Sequence, residues 1–452
     1  MTTTPAPHER STPSYPLSWQ AVDEACAAVH GVPHADEVEL WIHDAREAVA
    51  QLVPATGRTT AAAGGAFGAA CRLWHGDGFG AASRTVSGTD DVDLLVREAA
   101  HAASPQRATA RPTPEPTTDD APRVQPDPLD TAASERLVHE TAARLRAVGA
   151  DVQVVLAQQY QWITSTATGS GLRRSHYHEQ TRVLVRCETR HGALLEAAEA
   201  QQITADPGID ALVRRITAAL DALDDPDCPD ALDCPAAPPP PGLPVVLRPQ
   251  VAAPLVAGLS WLLSGTTALS TPGLEQAVGR RLFPSCLHVD DVPDAHPDGP
   301  PMTFDDEGQP ARPVQLVDEG RLVGFLHSWD TARRLGHAPN GRGIRMGVGA
   351  QPMPRPIALR VAAGRGFMPD DYIDLDCRLE NLVTMPRAGR IEMIVAGWAV
   401  RGGRRTHRIA PFEFHCDLLK YLRLLRGTGA DAEILPLADG ASTPSLHFKE
   451  LP

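Results

Sequence analysis

Several groups of residues have the types and spacing that chemistry requires. Asp305-Asp306-Glu307-Gly308 places three carboxylates on one turn, where they could bind a metal, although a turn with exposed acids explains them equally well. Asn340-Gly341-Arg342 sits in the Gly/Pro-rich run His337–Gly343, with a guanidinium at its tip that could face a peptide backbone or a partner chain. His176 and His178, beside Glu179, would share one face of a strand and could bind a metal there, although the polar, basic stretch RRSHYHE favours a loop. His139-Glu140 begins like a zinc-protease helix, but Ala143 occupies the i+4 position where a second imidazole is needed. Cys416, next to His415 and with His407 nearby in sequence, has the composition of a thiol nucleophile with its base. Adjacent residues on a strand or helix point apart, however, and the apolar run after Cys416 favours a packed thiol at the start of a helix. Cys228 and Cys234 lie in a Pro/Asp-rich segment with no second pair to complete a zinc site.

The segments around these residues indicate what would position them. Val314–Val317 and Leu322–Leu326 flank Asp318-Glu319-Gly320, the pattern of a β-hairpin. Ser328 and Asp330 can cap a short helix that Gly336 ends. The order from 304 to 345 is therefore acidic turn, hairpin, short helix, basic glycine loop. In the N-terminal half, residues 37–43 alternate as a strand, with Val38, Leu40 and Ile42 on one face and Glu37 and Glu39 on the other. The AREAVAQLV that follows fits a strand or a helix. Residues 66–83 read as a hairpin turning near Gly76, and 89–103 and 130–149 read as helices. Short strands are expected at Val152–Ala157, Trp162–Thr166 and Arg182–Thr189, and a helix from Ile209 to Leu223.

The four prolines Pro238–Pro241 mark the clearest boundary. The expected organisation is α+β: an N-terminal α+β domain over 1–234, a Pro-rich linker over 235–244, and a strand-rich, curved-sheet or barrel-like domain over 245–452. Residues 1–16 are expected to be disordered and 104–129 to be a Pro-rich insertion. Downstream, 250–264 is an apolar helix, and 379–414 a long hairpin turning at Gly402-Gly403. Leu418, Leu419, Leu422 and Leu425 mark a last helix. A formal net charge of −14 argues against a nucleic-acid partner. No apolar run is long enough to span a membrane and no h-region opens the chain, so a soluble, cytoplasmic protein is expected.

The ordered set resembles the TldD/PmbA family. The matching parts are the FDDEG turn, the LVDEGRLVGFL hairpin, the DTARRLG helix, the Asn340-Gly341-Arg342 loop and the late RGTGAD, with GFGAAS at 78–83 in the N-terminal half. The resemblance implies one of two kinds of subunit that pair as a heterodimer. The TldD kind is a zinc peptidase, with His-Glu-x-x-x-His on the helix after the domain boundary and a late Cys ligand; the PmbA (TldE) kind lacks that site. An ungapped match puts Ala257, Gly258 and Leu262 at the ligand positions, and no Cys follows Cys416. The expectation is a PmbA/TldE-like, non-catalytic subunit with no cofactor or metal of its own. Zinc would belong to a TldD-like partner, and Asp305, Asp306, Asn340, Gly341 and Arg342 would face substrate or partner. The alternatives are an enzyme using Cys416, His415 or His407, and a non-enzymatic peptide-binding or assembly protein.

Overall fold

Alternation that runs well beyond 43 makes the first strand long. In a computed structural model, β1 covers Glu37–Val53, so the AREAVAQLV segment is strand: Ala48, Ala50 and Leu52 continue the inward face set by Val38, Leu40 and Ile42. The structure describes residues 19–27, 35–76, 78–86, 89–105, 129–188, 194–201, 209–210, 212–214, 216–217, 237–293, 302–366, 369–380, 389–435 and 441–452. The expectations for 1–16, most of 104–129 and the cysteines at 228 and 234 lie outside these residues.

β1 pairs with β2 (Arg58–His75) on one side and β5 (Asp151–Thr168) on the other. With β3 (Gly78–Thr85), β4 (Ser104–Pro105), β6 (Arg173–Glu188) and β7 (Leu194–Gln201), they form a seven-stranded sheet of order β4-β3-β2-β1-β5-β6-β7. Three helices, Trp19–Ala27, Thr89–His101 and Thr131–Ala147, cover one face over two apolar clusters. Asp130 caps the third by accepting from Ala132 N, and Gly149 follows with φ of 83°. Ile209, Leu212 and Ile216 are buried, the last two in the cluster under the third helix.

Two local expectations are corrected here. The three short strands expected between 152 and 189 are two long ones, β5 and β6, and RRSHYHE is the start of β6 rather than a loop. Cross-strand pairing outweighs the polarity of that stretch, because its far face is covered by the C-terminal half. His176 packs edge-on to Phe304 (ring centroids 5.2 Å apart), and His178 packs at a tilt against Trp162 at 4.0 Å.

The C-terminal half is strand-rich, as expected, and its described strands form two open six-stranded sheets and one two-stranded ribbon; none closes into a barrel. The Pro249–Leu262 helix lies between the six-stranded sheets, carrying Val251, Leu255, Val256 and Leu259 into the largest apolar cluster. The 314–322 hairpin turns on Glu319 and Gly320, both at positive φ. The Trp329–Leu335 helix has a capping box between Ser328 and Thr331 and ends on left-handed Gly336. The last helix stops at Leu422: Leu425 opens the next strand, Leu425–Thr428, which pairs with Leu446–Phe448. No helix among the described residues is long and apolar enough to cross a membrane.

Candidate functional site: a buried ionic seam between the halves

The acidic turn is not on the surface. Asp305, Asp306 and Glu307 are all buried, pressed by the C-terminal half onto the sheet face opposite the three helices. Asp305 folds the turn itself. Its carboxylate accepts from Glu307 N (3.0 Å) and Gln309 N (2.8 Å), and its second oxygen accepts from Gly343 N at 2.7 Å, tying the turn to the glycine loop. Asp306 joins the halves: it accepts from Trp41 Nε1 at 2.9 Å and from Arg345 N at 2.7 Å, while its carbonyl accepts from Thr166 Oγ1 at 3.0 Å. Glu307 accepts from Arg72 Nη2 (3.0 Å) and from Trp329 N (2.7 Å).

Glu39 completes the seam from the sheet side. It accepts from Arg72 Nε at 2.8 Å, ion-pairs with Arg72 through its other oxygen, and accepts from Arg345 Nη2 at 3.0 Å. The Arg345 guanidinium also lies over the Trp41 ring, 5.3 Å from its centroid. Close approach is built into the backbone: a Cβ on Gly343 would stand 2.1 Å from the Glu307 carboxylate.

Arg342 and its loop are also enclosed. Read from the sequence as facing substrate or partner, Arg342 is 0% exposed. It ion-pairs with Asp291 and donates to the carbonyls of Asn340 (2.8 Å), Gly341 (2.9 Å) and Arg312 (2.7 Å). Asp291 in turn accepts from Ile357 N and Ala358 N. Asn340 bridges two backbone positions, accepting from His327 N at 2.9 Å and donating to Phe325 O at 2.8 Å. Gly341, at φ of 70°, has no room for a Cβ against Pro310 O. These side chains fasten the stretch together. What the stretch presents outward is a cavity of about 400 Å³, bordered by Arg174, Gly308, Gln309, Arg312, Trp329 and Asn340.

Burial pushes the carboxyls of Asp305, Asp306 and Glu307 above their ordinary range; repulsion from Glu307 adds to this at Asp305, and Arg72 opposes it at Glu307. A raised folded-state value means that the stabilising contribution of protonation is fully present below the unfolded value, about 4. It is lost as pH rises through the folded values. Folding is therefore expected to take up protons as pH rises above about 4, measurable as a buffer-dependent refolding enthalpy. Buffer-independent heats would show these carboxyls to be ionised throughout. His327 is held neutral, with burial lowering its value to about 4.

Sequence reasoning missed Glu39, Trp41, Arg72, Asp291 and Arg345. The alternation over 37–43 sets Glu37 and Glu39 apart from the apolar face but does not say what covers them. The signal available was Trp41, two residues after Glu39 on the same face, since a tryptophan there indicates a covered surface.

The thiol alternative does not assemble. Cys416 lies at the end of the Arg404–Asp417 strand rather than in a helix, and burial pushes its thiol up to about 12. His415 is exposed and bonded to Glu413 at 3.0 Å, and His407 contacts Thr406 at 3.3 Å.

Residues 241–452 match the family model described as the PmbA/TldA metallopeptidase C-terminal domain. The C-terminal half is a PmbA/TldD-family domain. The fold of the whole chain agrees with that family. A TldE from Thermococcus kodakarensis superposes with a TM-score of 0.74 at 16% identity, covering 92% of this chain and 96% of that one. A modulator of a DNA gyrase from Thermotoga maritima gives 0.73 at 17% identity, over 92% and 95%. A further modulator of DNA gyrase, from Bacteroides thetaiotaomicron, gives 0.64 at 14% identity, over 95% and 96%. A metalloprotease of Synechocystis sp. is 29% identical over 163 residues, 34% of each chain, so the match spans about a third of that relative.

The family name implies a metal. Ala257, Gly258 and Leu262, the positions that the ungapped resemblance gives to its ligands, lie on the Pro249–Leu262 helix, whose Leu255, Val256 and Leu259 are core residues. None of the three side chains offers a lone pair, so this PmbA/TldD-family helix does not fit zinc. Among the described residues, no group of three or more His, Cys, Asp or Glu could hold a metal ion.

Proposed function

We propose that this chain is the PmbA/TldE-like, non-catalytic subunit of a heterodimeric TldD/TldE-type metallopeptidase acting on unfolded or modified peptides. The observation that carries this reading is the ligand-free Pro249–Leu262 helix inside a family domain named for metallopeptidases. The fold match to a TldE supports it. In this reading zinc and the water it activates belong to the TldD-like partner, and the chain's own contribution is shape. The seam of Glu39, Arg72, Arg345, Asp306 and Glu307 fixes the N-terminal sheet against the family domain, giving the pair one rigid wall for a peptide chamber. The working compartment is the cytoplasm.

Co-expression tests the pairing. The chain is expected to co-purify with a TldD-like subunit carrying His-Glu-x-x-x-His as a stable one-to-one complex that cleaves unfolded peptides. Elution of the two chains as separate species would reject the pairing and favour a stand-alone peptide-binding protein.

A further inference from the structure

The cavity of about 400 Å³ outside the glycine loop is bordered by both halves of the chain. β6 supplies Arg174, opposite Thr166 of β5, and its guanidinium lies 5.6 Å from the centre of the Phe304 ring. The family domain supplies the rest of the border, including a second guanidinium, Arg312. The carbonyl of Arg312 is taken by Arg342, but its exposed side chain has no hydrogen bond or ion pair with a described residue.

No carboxylate borders this cavity among the described residues. Asp305 and Glu307, close by in sequence, are buried and already bonded: Asp305 to the amides of Glu307, Gln309 and Gly343, Glu307 to Arg72 and Trp329 N. Two neutral donors of bordering residues, Gln309 Nε2 and Trp329 Nε1, are buried without an acceptor. Asn340 has both ends of its amide engaged. The polar part of the border is therefore two cations and donors, with no acid to balance them. The remaining wall is apolar and stiff: Pro310, Pro313, Val314 and Pro339.

We propose that this cavity is a subsite for the C-terminal carboxylate of a peptide, held between Arg174 and Arg312 with the last side chain against the proline-lined wall. This deepens the function proposed above and rests on it for the occupant being a peptide. Guanidinium–carboxylate contacts are among the stronger polar interactions, because both partners are charged. A turn of the Gln309 amide about its soft last torsion presents Nε2 to the same carboxylate. The apolar wall and the size of the space select against an inorganic anion, which needs neither. A free amino acid would bring an ammonium group that meets no carboxylate here, whereas in a peptide that nitrogen is a neutral amide.

The test is isothermal titration calorimetry on the full chain with four probes. These are an acetylated glycine-alanine-leucine tripeptide with a free C-terminus, its C-terminal amide, the amide of the same tripeptide ending in glutamate, and inorganic phosphate. The free acid is expected to bind about tenfold more tightly than its amide, as one charge-assisted contact implies. Arg312→Gln is expected to remove most of that difference with the melting temperature within about 1 °C of the parent, since the side chain is exposed and unbonded. Arg312→Lys keeps the charge but not the fork and is expected to retain part of the difference. Arg174→Gln is expected to weaken the free acid and leave the amide unchanged. The proposal is overturned if neither tripeptide binds, if acid and amide bind alike, if the glutamate amide matches the free acid, or if phosphate binds and the free acid does not. Binding is measured on the isolated chain without cleavage, so this site can fail while pairing with a peptidase subunit holds, and the reverse.

Discussion

Arg72→Ala is expected to destabilise the chain by about 3–5 kcal/mol, because it leaves Glu39 and Glu307 buried without their shared cation. Arg345 would remain as a partner for Glu39 but cannot replace the bond to Glu307. The loss falls on the contact between the halves, so calorimetry should show more than a shifted peak. The N-terminal sheet is expected to melt ahead of the family domain, splitting the transition in two. Replacing both members of the pair that Arg345 cannot restore, as in Arg72→Met with Glu307→Gln, should cost less than the sum of the single changes, since no uncompensated Glu307 charge is left behind. A single unsplit transition within about 1 °C of the parent would show that the seam does not couple the halves.

Arg342→Ala is expected to be comparably severe, at about 3–5 kcal/mol, for a different reason. Arg342 is enclosed within the C-terminal half, and its loss strands Asp291 and releases the carbonyls of Asn340, Gly341 and Arg312. For a unit of this size that corresponds to a melting temperature lower by roughly 10 °C. Arg342→Lys should recover little, because one ammonium cannot reproduce a planar fork reaching Asp291 and three carbonyls. The melting temperature decides between a fastening role and a binding role. A variant that keeps its stability but loses peptide or partner affinity would return Arg342 to the surface function its place on a glycine loop suggests.

The contrast between these two arginines shows what the sequence could reveal. The hairpin at 314–322, the capped helix after Ser328 and the turn at Gly341 were legible because each depends on local chemistry: alternation, a side-chain cap, a glycine at positive φ. The α+β organisation and the strand-rich second half followed from the same periodicities. The seam was not legible, because it forms between residues such as Trp41 and Asp306 that are far apart in the chain. Local pattern misdirects at RRSHYHE, whose polarity favours a loop although it forms the start of a long paired strand. Charge on a turn says that carboxylates are present; only the fold says whether water reaches them.

The proposed subunit keeps the family fold without metal chemistry of its own. Metal analysis of the purified chain alone, alongside a peptidase assay on an unfolded peptide, decides this. Zinc is expected well below one atom per chain, with no cleavage until a TldD-like subunit carrying His-Glu-x-x-x-His is added. Stoichiometric, tightly held zinc together with peptidase activity of the chain by itself would contradict it.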